Sequence, residues 1–245
     1  MIQGIYTASM GMTPLMQKQD QIANNLANIN TTGFKQSNLF TKTYQKYLAN
    51  DQQQPFAQME MKTDEVFVDY SEGPMKHTGS TLDLAIHGSG FFSVMTADGE
   101  QVTRNGNFSI NTEGLLVTSD GSRVMSNDGY LRLDRNVPVT VTDKGEVTQN
   151  GETKGFLKIV DFEKPYKMIR SGDSRMKPAD PETKARASSG FAVNQGYLEG
   201  SNVSIVKNMV EMISAYRSFE ADQKALHAQD QTLDKAVNQV GRVGA

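Results

Sequence analysis

The chain has 245 residues, of which 37% are hydrophobic, and its 25 basic and 28 acidic side chains give a net charge of −3. Such a balance excludes a strong field toward nucleic acid or an anionic membrane, so proteins are the expected partners. The complete lack of cysteine excludes disulfides, thiolate metal sites and a cysteine nucleophile.

The N-terminal segment, residues 1–34, is predicted to be an assembly helix. Its apolar residues recur at alternating steps of three and four, which is the narrow stripe of a coiled-coil seam. The seam runs through Ile5, Ala8, Met12, Leu15, Gln19, Ile22, Leu26 and Ile29. Pro14 breaks the helix pattern: either the helix kinks near Met10 and Gly11, which we favour, or Thr13 caps a second helix that starts at Pro14.

The end of this segment, residues 21–35, reads QIANNLANINTTGFK and is unusually rich in asparagine, a middling to poor helix former. Asn24, Asn25 and Asn28 fall off the seam, so their amides are expected to bond neighbouring chains or to face solvent. Gly33 suits the left-handed conformation that ends a helix. Phe34 is then expected to anchor the chain as it leaves.

The start of the chain shows neither a membrane span nor a secretory signal. No run of eighteen apolar residues occurs, and the first charged side chain is Lys18, whereas a secretory signal begins with basic residues.

The middle of the chain, residues 80–170, is predicted to be an antiparallel β domain. Short runs rich in Val, Ile, Phe and Thr alternate with X-Gly pairs that favour tight hairpins. These pairs are Asp98-Gly99, Asn105-Gly106, Glu113-Gly114, Asp120-Gly121, Asp128-Gly129, Lys144-Gly145 and Asn150-Gly151. The flanking stretches, 35–79 and 171–200, lack periodicity and are predicted to be an extended connector and a return connector. Whether they are flexible linkers or become ordered strands in an assembly is left open by the pattern.

The C-terminal segment, residues 201–245, repeats the helical seam. The seam consists of Ile205, Met209, Met212, Tyr216, Phe219, Gln223, Leu226, Asp230, Leu233, Val237 and Val240. A helix over 201–242 would be about 63 Å long, more than the width of a domain of this size. The expected fold class is therefore α+β, with long N- and C-terminal helices pairing as a coiled coil around extended connectors and a central antiparallel β domain. The alternative is that each helix packs on its own domain.

The residues that usually carry chemistry form no recognisable site. His77, His87 and His227 lie in different segments without metal-ligand spacing. The stretch from His87 to Gly90 is neither a nucleophile elbow nor a dinucleotide fingerprint. No catalytic, cofactor-binding or metal-binding residue is predicted, and an assembly protein is favoured over an enzyme.

Four ordered blocks carry a resemblance to a known family. ANNLANINTTGFK at 23–35 resembles the N-terminal signature of the bacterial flagellar rod and hook proteins. LDLAIHGSGFF at 82–92 and TRNGNF at 103–108 resemble that family's entry to the β domain and the hairpin that follows. The stretch 201–240 resembles its closing helix, and the short central region points to a rod protein rather than to the larger hook protein.

The resemblance implies a structural rod subunit, most like the distal-rod type, that polymerises into a hollow helical tube and transmits torque. Hook and proximal-rod members are alternatives within the family, and a coiled-coil surface adhesin with a ligand-binding β head is the alternative outside it. The implied partners are other copies, other rod and hook subunits and the flagellar export apparatus. Contact with ring or bushing proteins or with peptidoglycan is left open, and no nucleic acid is implied. The resemblance also implies that the chain is exported without a cleaved signal peptide and that it is located in the basal body, outside the cytoplasmic membrane.

Two sets of functional residues are predicted, one from the helical seams and one from the family resemblance. The expected self-association residues are Ile5, Met12, Leu15, Ile22, Leu26, Ile29, Met209, Met212, Tyr216, Phe219, Leu226, Leu233 and Val237. The family-signature residues are Asn24, Asn25, Asn28, Gly33, Phe34, Asp83, Gly88, Gly90, Phe91 and Phe92.

Overall fold

The structure is a computed structural model that describes residues 2–46, 58–172, 174–180, 183–188 and 190–240. The chain divides into two compact units, which we call the helical unit and the β unit. The helical unit contains the residues up to Ala27, Gln36–Asp69 and those from Val203 onward, whereas the β unit contains Asn28–Lys35 and Tyr70–Asn202. The chain therefore crosses between the units four times.

The two units differ in their elements. The helical unit contains α1 (Ile2–Ala27), β1 (Ser37–Lys46), β2 (Gln58–Val68) and α2 (Ile205–Val240). The β unit contains short strands, which in chain order are β3 (Met75–His77), β4 (Leu84–Gly88), β5 (Phe91–Thr96), β6 (Gly99–Thr103), β7 (Phe108–Ile110), β8 (Leu116–Thr118), β9 (Arg123–Ser126), β10 (Gly129–Tyr130), β11 (Val139–Val141), β12 (Glu146–Gln149), β13 (Glu152–Phe156), β14 (Ile159–Asp161), β15 (Met168–Arg170), β16 (Arg175–Pro178), β17 (Arg186–Ala187), β18 (Phe191–Gln195) and β19 (Tyr197–Glu199). Neither described helix has the length and apolar composition of a membrane span.

Helix α1 continues through Pro14 as one element, so the separate segment starting at that proline does not form. It ends at Ala27, before the last predicted seam residue, because 28–30 already form a turn. Ile29 therefore lies outside the helix and cannot extend its stripe. The left-handed conformation expected at Gly33 is confirmed, with a φ of 68°.

The expectation that the terminal helices pair as a long coiled coil is wrong. The two helices do contact each other, but the seam residues Ile205, Met209 and Tyr216 of α2 are 48%, 52% and 55% exposed. The less exposed stripe of α2 lies to one side of the predicted one and consists of Asn208, Met212, Ala215, Phe219, Asp222, Leu226, Gln229 and Leu233. Alternate members of that stripe are polar or small, whereas a coiled-coil seam needs large apolar residues at both positions of each heptad.

Both stretches expected to be connectors carry strands. In the first, β1 pairs antiparallel with β2 from Ser37↔Val68 to Lys46↔Gln58, with a bulge between Leu39 and Phe40. In the second, β16 to β19 each pair with strands of the β unit.

The core of the β unit is an antiparallel ten-stranded sheet with the order β15-β16-β6-β5-β9-β8-β7, to which β10, β14 and β17 attach. The adjacent β5 residues Phe91 and Phe92 pack into two separate hydrophobic cores, because successive side chains point to opposite faces of a strand. Phe92 lies in the larger core with Phe108, at a ring distance of 5.1 Å. Phe91 lies in the smaller core with Phe162 and Met176.

Six of the seven predicted X-Gly pairs have a glycine with positive φ, which lies either between successive strands or, at Gly99 and Gly129, at the first position of the second strand. The exception is Gly106, which does not adopt positive φ. A Cβ at that position would lie 1.7 Å from the carbonyl oxygen of Leu84. Gly106 is therefore required by close backbone packing rather than by turn conformation.

The turn between β8 and β9 is held by the carboxylate of Asp120. It accepts hydrogen bonds from Thr118 Oγ1 and from Ser122 Oγ, the latter at 2.7 Å, and it pairs with Arg175. Burial alone would raise the pKa of Asp120, but these hydrogen bonds and the arginine outweigh burial and hold that pKa below its ordinary value.

A lowered carboxyl pKa in the folded state stabilises the protein above the unfolded-state pKa, and this stabilisation is lost as the pH falls through the folded-state pKa. We therefore expect Asp120→Asn to lower the free energy of unfolding at pH 7 by roughly 1–2 kcal/mol, with a smaller loss at pH 3. Urea unfolding at the two pH values measures the difference. The exposed Asp98→Asn is the matched control, and an equal loss at both pH values in Asp120→Asn would contradict the assignment.

Candidate assembly site

The β unit holds a buried set of three charged side chains, which we call the ionic anchor: Lys35, Arg104 and Glu199. Lys35 Nζ lies 2.5 Å from Glu199 Oε1, and Arg104 Nη1 lies 3.2 Å from Glu199 Oε2. All three side chains are at most 4% exposed. Lys35 is the last residue of the N-terminal signature block and Glu199 ends β19, so the anchor joins segments that are 164 residues apart.

Backbone groups complete the polar contacts of the anchor. Lys35 Nζ donates to the carbonyl oxygen of Ser71 at 2.7 Å, and the amide of Gly73 donates to Glu199 Oε1 at 3.0 Å. Arg104 donates to the carbonyl oxygens of Ile86, at 3.0 Å, and Gly88, at 2.6 Å. Within the β unit, the anchor therefore links the segments that adjoin three of the four crossings, those after residues 35, 69 and 202.

Electrostatics make Glu199 the critical member of the anchor. Burial lowers the pKa of Lys35 below its ordinary value, and the attraction to Glu199 opposes that change. Within the described residues, this carboxylate is the only anion in direct contact with the two cations. Removing its charge would leave Lys35 and Arg104 buried together without compensation, which is costly in a low-dielectric interior.

The residues before Lys35 dock onto the same unit. The guanidinium carbon of Arg170 lies 4.3 Å from the ring centroid of Phe34, and the same guanidinium donates to the carbonyl oxygen of Lys35. The amide of Gly33 donates to the carbonyl oxygen of Glu199 at 2.8 Å. The sequence TTGFK therefore forms part of the β unit rather than the end of a helix.

Gly33 fills a position that no side chain can occupy. A Cβ there would lie 2.4 Å from the backbone nitrogen of Asn105, in addition to the cost of its φ of +68°. We expect Gly33→Ala to lower the unfolding free energy of the β unit by about 2–4 kcal/mol, measured by urea unfolding. Gly151→Ala is the matched control, because Gly151 has a φ of +80° and no atom near its added Cβ. Equal losses in the two variants would contradict a steric role for Gly33.

The asparagines of the signature do not share one role. Asn25 is 1% exposed, and its amide both donates to the carbonyl oxygen of Ser37, at 2.8 Å, and accepts from the Ser37 amide, at 3.0 Å. The expectation that this amide bonds a neighbouring chain or faces solvent is therefore wrong, because it fixes the start of β1 within its own helical unit. Asn28 accepts a hydrogen bond from Thr31 Oγ1 in the turn after α1, and Asn24 is exposed.

The second block of the signature belongs to the β unit as well. Asp83 is buried and accepts a hydrogen bond from the Asn107 amide at 2.9 Å. A Cβ on Gly88 would lie 2.2 Å from the carbonyl oxygen of Gly190, and one on Gly90 would lie 2.8 Å from Ile159. These contacts fix the entry to β5, whose Phe91 and Phe92 supply the two cores.

In the helical unit, α2 presents a row of exposed apolar side chains, which we call the apolar face. Its members are between 48% and 73% exposed: Ile205, Val206, Met209, Val210, Ile213 and Tyr216. They follow one side of the helix over three turns, or about 17 Å. A continuous exposed row of this kind typically marks a protein interface.

The self-association residues predicted from the seam are distributed between exposed and covered positions. Met209 and Tyr216 lie on the apolar face, and Ile22 is buried in α1. The remaining described members are of intermediate exposure: Met12, Leu15, Leu26, Ile29, Met212, Phe219, Leu226 and Leu233. The side chains of Ile5 and Val237 lie outside the described part of the structure.

The histidines occupy separate places in the described structure. His77 packs against Tyr197 at a ring distance of 4.8 Å, and the exposed His87 pairs with Glu72 at 3.1 Å. His227 is exposed on α2. Among the described residues, no cluster of His, Asp and Glu could hold a metal ion.

Comparison with known proteins links these features to one family. Three family models match the chain: flagella basal body rod protein over 5–35, flagellar hook protein FlgE/F/G D1 domain over 85–151, and flagellar basal body rod FlgEFG protein C-terminal over 194–240. The flagellar basal-body rod protein FlgF of Caulobacter vibrioides is 31% identical, with 98% of both chains aligned. The chain belongs to the flagellar basal-body rod protein family.

Two further relatives of this rod protein are flagellar basal-body rod proteins named FlgG rather than FlgF. FlgG of Bacillus subtilis is 30% identical over 97% of this chain and 99% of the relative. FlgG of Borreliella burgdorferi is 31% identical over 97% of this chain and 98% of the relative.

The matched regions of the rod protein contain all three residues of the ionic anchor and the whole apolar face. The ionic anchor could not be predicted from the sequence, because no local motif or spacing connects Lys35, Arg104 and Glu199, which are far apart in the chain. Val206, Val210 and Ile213 were also missed, because a narrow coiled-coil seam does not include these positions. The apolar pairs at 205–206, 209–210 and 212–213 were the signal that could have revealed them.

Proposed function

We propose that this chain is a structural subunit of the flagellar basal-body rod, which polymerises into a hollow helical tube that transmits torque from motor to hook. The single observation that carries the proposal is the apolar face of α2, whose six side chains are about half to three-quarters exposed in the isolated chain. Family membership supports the same role.

The physical argument concerns what could cover the apolar face. Fully burying one large apolar side chain is worth roughly 1.5–3 kcal/mol. The six side chains of the apolar face are 48–73% exposed, so covering them would recover part of that value for each and would favour association. Contact between this face and a different surface of the next copy would be heterologous, and such contacts generate open helical polymers unless they close into a ring.

The implied partners are copies of the chain itself and other rod and hook subunits. The short central region favours the distal-rod type, with the proximal rod and the hook as alternatives. Export through the flagellar apparatus without a cleaved signal peptide, and contact with ring or bushing proteins or peptidoglycan, are further expectations of the resemblance. The structural role requires no catalytic residue, cofactor or metal ion.

The experiment that tests the role is deletion of the gene followed by imaging of isolated basal bodies and a swimming assay in soft agar. We expect truncated or absent rods and a loss of swimming, both restored by the wild-type gene on a plasmid. A deletion strain without a second copy of the gene that builds full-length rods and swims normally would overturn the proposal.

A further inference from the structure

The β unit has an open sheet edge at β15. In the described structure this strand pairs only with β16, at the end of the ten-stranded sheet. The amide of Ser171 donates to the carbonyl oxygen of Arg175 at 3.0 Å, and the amide of Ala179 donates to that of Lys167 at 2.9 Å. These bonds place residues 167, 169 and 171 at the hydrogen-bonded positions of the ladder.

The backbone groups of the intervening residues, Met168 and Arg170, therefore point away from β16. In an antiparallel ladder, hydrogen-bonded and non-bonded pairs alternate, so the amide and carbonyl groups of Met168 and Arg170 face away from β16. No described residue bonds these groups on that side. The side chain of Ile169 is 50% exposed. The edge thus offers main-chain donors and acceptors next to an exposed apolar side chain.

A cavity of about 310 Å³ lies beside this edge. Its apolar lining consists of Phe162, Pro165, Met168 and Pro178. Such a cavity can accept one apolar side chain from a segment that lies along the strand, because alternate residues of an added strand point to the same side.

The charges around the edge define the segment that it can accept. Lys164 and Lys167 line the cavity, and Lys177 is the register partner of Ile169 on β16. All three lysines are exposed, and none forms an ion pair within the described residues. Glu163, the acidic residue of the lining, lies 3.6 Å from Arg186. Lysines at an edge repel a second copy of the same strand but attract an acidic one.

We propose that β15 and the adjoining cavity bind an extended acidic segment of a partner protein by strand addition. The backbone of the segment pairs with Met168 and Arg170, one apolar side chain enters the cavity, and its carboxylates face Lys164 and Lys167. This site is separate from the apolar face of α2 and does not depend on the proposed polymerisation.

The test uses the full chain and a fluorescein-labelled hexapeptide that alternates glutamate and valine. Fluorescence anisotropy should show saturable binding, whereas the counterpart with lysine in place of glutamate should not bind. The double variant Lys164→Glu/Lys167→Glu should weaken binding roughly tenfold, since two attractions become repulsions. The matched control is Lys76→Glu/Lys144→Glu, which reverses two exposed lysines elsewhere on the β unit and should bind as the wild type does.

Hydrogen exchange locates the bound peptide independently of the variants. At fixed protein concentration, the glutamate peptide should slow exchange of the Met168 and Arg170 amides. Absence of saturable binding, or equal binding of the lysine peptide, would overturn the proposal. Protection of these two amides that rises with protein concentration alone would also overturn it, because the edge would then pair with a second copy.

Discussion

Replacing Glu199 by glutamine should lower the unfolding free energy of the β unit by roughly 3–5 kcal/mol, because the change removes one member of a buried ion set and leaves the other charges behind. The substitution keeps the size of the side chain but removes the negative charge that contacts Lys35 and Arg104. The carbonyl oxygen of the glutamine side chain could still accept a hydrogen bond from one cation, so the loss isolates the charge rather than the packing.

Urea unfolding, with hydrogen exchange of the β5 amides to report on the β unit, measures this loss. Glu152→Gln is the matched control, because Glu152 makes the same kind of contact to Lys154, at 2.8 Å, but is 75% exposed. We expect the control to unfold at the wild-type urea concentration, since exposed ion pairs contribute little. A Glu199→Gln variant as stable as the control would show that the anchor does not hold the β unit together.

The second large effect is expected from the double variant Val206→Asp/Val210→Asp on the apolar face. These two side chains are 73% and 61% exposed, so aspartate at both positions should leave the isolated chain folded. In a polymer contact the carboxylates would be desolvated without partners, which costs several kcal/mol each. We therefore expect loss of rod assembly and of swimming when the variant replaces the wild-type gene.

The control is Ser218→Asp/Ala225→Asp, which adds the same charge to exposed positions away from the apolar face of α2. Circular dichroism should give wild-type spectra for both double variants, which separates assembly from folding. Normal rods built by the Val206→Asp/Val210→Asp strain would exclude the apolar face as an assembly contact.

The hairpins were predictable because the residues that encode them are local. An X-Gly pair specifies the turn between two adjacent strands, and the positive φ of Gly33 was predictable in the same way, although α1 already ends at Ala27. Even there, Gly106 serves a different purpose, since its hydrogen atom faces the distant carbonyl oxygen of Leu84. The local sequence cannot distinguish a turn glycine from a packing glycine.

The ionic anchor and the orientation of α2 depend on distant contacts and were not predictable in the same way. Glu199 resembles any glutamate at the end of a strand until the fold brings Lys35 to it from 164 residues away. Spacing alone predicts a seam on α2 that includes Met209 and Tyr216, but Asn208 and Ala215 are the buried residues, so Met209 and Tyr216 face outward. Helical periodicity identifies an amphipathic helix without fixing which side is covered.

The most direct test of the assembly account uses the lack of native cysteine. The single-cysteine variants Val210→Cys and Asp98→Cys place a thiol on the apolar face and, as a control, on the exposed β5–β6 turn. Maleimide labelling would be compared between the purified monomer and isolated basal bodies. We expect Val210→Cys to label in the monomer and to be protected in basal bodies, with Asp98→Cys recording how far assembly changes labelling elsewhere. Equal labelling of Val210→Cys in both states would contradict the account.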